Sequence, residues 1–244
     1  MHPIHYHSIQ HLTTQRSTIH RTTTMIRYRT ALLLSFALAA SPASAQQEIS
    51  KVNGSVTAEA GQTYGDVETV NGSIRIDAGA TVEDVSTVNG SISTGGKVRV
   101  RSLETVNGGI KLDAGAQVQG GIETVNGSVF VDRGGVIGGD VSTVNGGIGL
   151  VATQLSGGID TVNGDITVGV DSRVKGGIKV EKSKSMFPVK LGRDPRIIVG
   201  PRAVVEGPLV FERPVKLYVH RTAKTGPITG ATAKIFDTDM APAE

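Results

Sequence analysis

Apolar residues return at every sixth position through most of this chain. Counting in sixes from Val52 gives Val52, Ala58, Tyr64, Val70, Ile76, Val82, Val88, Thr94, Val100, Val106, Leu112 and Val118. One shift of a residue continues the series through Val125, Val131 and Ile137. A second shift continues it through Val144, Leu150, Ser156, Val162, Val168, Val174 and Val180. Only Thr94 and Ser156 in the series are polar. A helical face does not repeat in sixes, and an isolated strand repeats only in twos. Three sixes make the larger period. Val-Asn-Gly recurs around Asn53, Asn71, Asn89, Asn107, Asn126, Asn145 and Asn163, in steps of 18, 18, 18, 19, 19 and 18. A near-constant period of this length means one unit stacked on copies of itself.

The pattern predicts an all-β fold: a single-stranded parallel β-helix with triangular coils of 18–19 residues. Each side is one short strand, and each coil rests on the next at strand spacing, about 4.8 Å. Parallel crossovers favour a right-handed coil. Alternation puts a second residue inward on a side, as with Ile74 and Ile76, or Ala80 and Val82. The hexads are expected to form the core, so Val106→Asp should bury an unpaired charge and destabilise severely.

Corners need tight backbone, which glycine supplies. Ala78-Gly79-Ala80 and Ala114-Gly115-Ala116 mark one corner, each after an aspartate. Gly120-Gly121, Gly138-Gly139 and Gly176-Gly177 mark another. The first two pairs coincide with the 19-residue steps, so the extra residue reads as a glycine bulge. Each asparagine either takes a left-handed turn conformation or ends a strand pointing outward. In both cases the seven amides, Asn53 to Asn163, are expected to stack as a structural ladder. Thr69, Thr87, Thr105, Thr124, Thr143 and Thr161 form a parallel column. A ligand-binding row of asparagines is the sharper reading of the same residues.

The two ends differ from the middle. Met25–Arg29 is a short basic segment, Ala31–Ala40 a ten-residue apolar run, and Ala43-Ser44-Ala45 a small-residue cleavage site. Residues 1–45 are therefore expected to be an N-terminal extension plus signal peptide, starting at Met25 and cut after Ala45. The apolar run is too short to span a bilayer, which takes about 20 residues. Regular repeats are expected over 46–184, irregular closing coils or a cap over 185–236, and a loose tail over 237–244.

Removing the leader changes the charge. It holds Arg16, Arg21, Arg27 and Arg29 and no acid, so 46–244 carries 21 basic and 22 acidic groups. The basic character of the whole chain is no argument for nucleic acid, and no nucleic-acid partner is expected. Residues 46–172 hold 7 basic and 15 acidic groups, and 173–244 hold 14 and 7. Such asymmetry suits head-to-tail attraction or an acidic partner for the C-terminal end. Without cysteine, an exported chain relies on packing and backbone hydrogen bonds.

Chemistry-bearing groups are sparse. His220 is the one histidine after residue 45, and it reads as a cap residue rather than a base. Asp77, Asp113 and Asp132 precede glycine turns, where aspartate bonds locally. Glu83 and Asp84 are adjacent, so a strand would point them to opposite faces. Asp237-Thr238-Asp239 is too short for a calcium loop. No catalytic residue, metal or cofactor is expected.

The motifs V-N-G-[SG]-[IV] and G-A-x-V-x-G, over about residues 50–180, resemble the bactofilins and the secreted, adhesin-like β-strand repeat proteins of bacteria. The first resemblance implies a polymer-forming β-helix. The signal segment and the basic C-terminal section depart from it. Together these readings give an expectation: a non-enzymatic, exported envelope protein, periplasmic or on the cell surface, acting as a structural or self-assembling scaffold. Its partner would be itself, end to end or side by side, or an envelope glycan or protein. The alternatives are an adhesin-like module presenting an Asn/Thr face and, last, a polysaccharide-active enzyme.

Overall fold

The computed structural model describes residues 47–182 and 193–242. The expected leader, its cleavage point and the boundary at 184 lie outside them. The described residues form a parallel β-solenoid of about ten turns and contain no helix. Ten strands, one from each turn, stack into one sheet, from Val56–Ala58 to Ala233–Phe236. A sixteen-stranded sheet carries the other two faces of the coil. Like residues sit on like: Ile74 pairs with Ile92, Ile92 with Ile110, and Asn71 with Asn89.

One coil shows why the sequence folds this way. Thr81–Asn89 is a nine-residue strand that bends at Glu83 and Asp84. It runs from the third face of the coil onto the first. Gly90 and Ser91 turn the chain into the second face, Ile92–Thr94. A corner at Gly95–Val98 returns it to the third face. Val82, Val85, Thr87, Ile92, Thr94 and Val98 are all buried. Each coil contributes one layer, so the core is a column of aliphatic side chains along the axis.

The bulge sits where the spacing places it. Val100 and Leu103, both buried, are separated by two residues, but Val118 and Ile122 by three, Gln119-Gly120-Gly121. The extra residue breaks the strand at the bend. Arg99–Asn107 therefore pairs with two shorter strands, Gln117–Val118 and Ile122–Asn126. The coil entering Asn163 has 18 residues despite its own Gly157-Gly158 pair. Its other corner is one residue shorter, running Leu150-Val151-Ala152-Thr153-Gln154-Leu155. Leu155 is consequently the inward residue, and Ser156, counted inward by sixes, is exposed.

A second correction concerns the Val-Asn-Gly valines. Thr69, Thr87, Thr105, Thr124 and Thr143 are buried, and Val70, Val88, Val106, Val125 and Val144 are only half-buried on the outside. The cause is the bend at residues such as Glu83 and Asp84, where two consecutive residues point out. Alternation restarts at Val85, which shifts the inward set onto Ser86's neighbours Val85 and Thr87. Val106 is thus not a core residue; Leu103 and Thr105 are. Strand stacking also continues past residue 193. Arg196–Val199 pairs with Ile166–Val168 on one side and Lys216–His220 on the other.

Candidate functional site

The Thr-Val-Asn-Gly corner is one device repeated along the solenoid. The threonine hydroxyl donates to the glycine carbonyl one coil back: Thr69 to Gly54, Thr87 to Gly72, Thr105 to Gly90, Thr124 to Gly108 and Thr143 to Gly127, at 3.0–3.2 Å. The glycine is required by close approach. A Cβ on Gly90 would lie 1.9 Å from the Gly72 carbonyl oxygen, and one on Gly108 would lie 1.9 Å from that of Gly90. Backbone therefore packs on backbone at this edge.

Asn53, Asn71, Asn89, Asn107, Asn126 and Asn145 each end a strand, and no asparagine of the series has a positive φ. Of the two conformations open in the sequence, the strand is the one adopted. Nδ2 of Asn71, Asn89, Asn107, Asn126 and Asn145 each donates to Oδ1 of the asparagine one coil back, at 2.9–3.0 Å. The series begins at Asn53. At Asn163 the corner is displaced. Its backbone N–H bonds the Val144 carbonyl, and its Oδ1 accepts from Arg213 Nη1 at 3.3 Å. Thr161 Oγ1 in the same corner is buried without a hydrogen-bond partner among the described residues.

The outer side of the first face carries two further columns. One runs Ser50, Glu68, Ser86, Glu104, Glu123, Ser142, Asp160. The other is the half-buried valine row, which opens at Val52, 62% exposed. Asp66, Glu83, Asp84 and Asp140 add charge at the bend. Glu83 and Asp84 do not diverge as a straight strand would make them. Both reach Arg101, which also lies 3.7 Å from Asp66. Partial desolvation, then Glu123 and Asp84, hold Glu104 above the usual carboxylate range; Glu68 is raised by burial and by Asp66, Glu48 and Asp84. Asp160 is pushed up to about 6, chiefly by burial, with Asp140 and Glu181 adding and Lys179 opposing.

The other candidates do not converge. His220 is buried edge-on against Phe236, with ring centroids 5.0 Å apart, and its Nδ1 accepts from the Thr222 N–H. Asp77, Asp113 and Asp132 each pair with a cation next to them in the chain, Arg75, Lys111 and Arg133. They lie at corners of different coils. Among the described residues no group of acids or histidines is arranged to hold a metal. An open cavity of about 310 Å³ borders Gly146, Asn163, Gly164, Asp165 and Arg193. A second, about 570 Å³, lies between Ile198 and Arg196 on one side and Phe236 and Met240 on the other. Neither cavity was foreseen in the sequence, because both depend on how residues far apart in the chain meet. Set against known protein families, curated proteins and solved structures, the chain matches none.

Proposed function

We propose that this protein is an exported, non-enzymatic scaffold of the bacterial envelope that assembles through the ends of its solenoid. One observation carries the proposal. Among the described residues, both terminal coils keep an unpaired strand edge. Gln47–Asn53 pairs only with Thr63–Asn71, and Ala233–Phe236 only with Lys216–His220. Val52 and Ile235, at the two ends, are 62% and 66% exposed. An open strand edge is a template for another strand. The charge division between residues 46–172 and 173–244 favours end-to-end contact over contact of like ends. The resemblance to polymer-forming bactofilins points the same way. Light scattering and electron microscopy on the purified protein across a concentration series test it. Filaments or defined oligomers that grow with concentration are expected; a monomer at every concentration would sink the proposal.

A second reading, a binding module, draws on the first face. Serine fills the carboxylate column at Ser50, Ser86 and Ser142, so the fold does not require acid there. Burial together with neighbouring acids holds the Glu68 and Glu104 carboxyls above their usual range, with Glu123 beside Glu104, a cost to the folded state that favours a cationic partner. The triple variant Glu68→Ser, Glu104→Ser, Glu123→Ser should fold normally and lose retention on isolated envelope material. Equal retention of both proteins would remove this reading.

A further inference from the structure

The seven Asn-Gly steps are chemically alike but not structurally alike. Asparagine followed by glycine is prone to ring closure. The glycine backbone nitrogen attacks the asparagine Cγ, a C–N bond forms, and the side-chain amide nitrogen leaves as ammonia with the proton lost by the backbone nitrogen. Water then opens the succinimide at either carbonyl, giving aspartate or isoaspartate. The closure needs a free backbone N–H, a side chain able to rotate, and stabilisation of the oxyanion formed at Oδ1.

Five of the seven steps lack the first two requirements. Gly54, Gly72, Gly90, Gly108 and Gly127 each donate the backbone N–H to an asparagine carbonyl on the next coil, at 2.9–3.1 Å. The preceding asparagines are all members of the amide ladder. Gly146 and Gly164 have no such bond among the described residues: at Gly146 the displaced corner moves Asn163 out of reach, and no asparagine follows Asn163 in the chain to meet Gly164. Asn145 is still anchored through Nδ2 to Asn126. Asn163 is off the ladder. Its Oδ1 accepts from the Arg213 guanidinium, the donor that a developing oxyanion would need. Arg213 is itself fixed by a 3.0 Å bond from the same nitrogen to the Val162 carbonyl. The 310 Å³ cavity beside Asn163 and Gly164 gives room for rotation and entry for water.

We propose that Asn163-Gly164 is a self-modification site, where succinimide closure assisted by Arg213 converts Asn163 to aspartate or isoaspartate ahead of the other six steps. The product carboxylate stays beside Arg213, and the isoaspartate form lengthens the backbone at the joint between the amide ladder and the last coils. This does not depend on assembly or on the envelope role.

The test is ageing of the full purified chain in mildly alkaline buffer, followed by tryptic peptide mass spectrometry. Asn145 and Asn163 share the peptide 134–173, so fragment ions assign the change from NH₂ to OH. Asn163 should convert at least about tenfold faster than Asn71, Asn89, Asn107 or Asn126. Arg213→Leu should slow Asn163 severalfold and leave those four unchanged, and Arg213→Lys should recover part of the rate. Equal conversion at Asn163 and the ladder positions in the parent protein would overturn the site. An unchanged or faster rate in Arg213→Leu, with a melting curve like the parent's, would overturn the part given to Arg213.

Discussion

Thr105 and Val106 have nearly the same shape, yet the coil buries the one with the hydroxyl. The hydroxyl has a partner inside, the Gly90 carbonyl, so it enters the core without an unmet hydrogen bond. Thr105→Val keeps the shape and removes the donor, and should cost about 1 kcal/mol. Leu103→Asp places a charge where the core offers no partner and should cost more than about 4 kcal/mol, with Val106→Asp nearer 1. Urea unfolding midpoints of the three variants would settle the order; equal midpoints for the two aspartate variants would contradict it. Counting by sixes picked Val106 because two β-branched residues stand side by side, and either suits a strand. The deciding signal was present in Val67, Val85, Leu103, Ile122 and Val141, a second apolar column one coil apart. It becomes legible only once two consecutive residues are allowed to point outward at the bend. The ladder from Asn53 to Asn145 was legible because it repeats with the coil. The departure at Asn163 was not, since the partner it takes there, Arg213, lies far along the chain.

At the scale of a coil, one corner takes a left-handed residue on eight successive turns. Gly61, Gly79, Gly115 and Gly134 supply it with φ of 68–75°. Lys97, Ala152, Asp171 and Arg202 hold φ of 43–58° in the corresponding corners. A side chain in that region costs about 1–2 kcal/mol, part of which glycine gives back through its extra freedom when unfolded. Ala152→Gly should therefore stabilise by up to about 1 kcal/mol, and Gly134→Ala should destabilise by a similar amount, both read from melting temperature. Asp171 and Arg202 soften their strain by pairing through two bonds of 2.7 and 2.8 Å. The acidic column adds a pH dependence. Asp160 has its pKa raised in the folded state, so the folded chain holds its proton more tightly than the unfolded chain. Stability from this group is present at low pH and lost as pH rises through about 6. Glu68 and Glu104 shift in the same direction. Asp160→Asn should raise the melting temperature near neutral pH and have little effect near the unfolded pKa, about 4. A larger gain at the acidic end would show that Asp160 is not held in this way.

The molecule as a whole is a stack in which strands pair with the coil before and the coil after, so whole coils are interchangeable units. Removing residues 73–90 deletes one 18-residue coil and joins Gly72 to Ser91, leaving the amide, threonine and glycine columns continuous. Such a protein should stay folded and lose only a few degrees of melting temperature. Removing nine residues instead would put side chains of one face against another and should abolish cooperative unfolding by circular dichroism. The asparagine ladder has one more property at this scale. Every bond in it points the same way, with the later amide giving its hydrogen to the earlier one. The side-chain dipoles therefore add along the axis, and among the described residues the row begins with an unused donor at Asn53 and ends with an unused acceptor at Asn145. Like a row of magnets laid nose to tail, the solenoid has a direction. Copies joined in sequence would preserve that direction along a filament, whereas two copies meeting by the same end would set the rows in opposition.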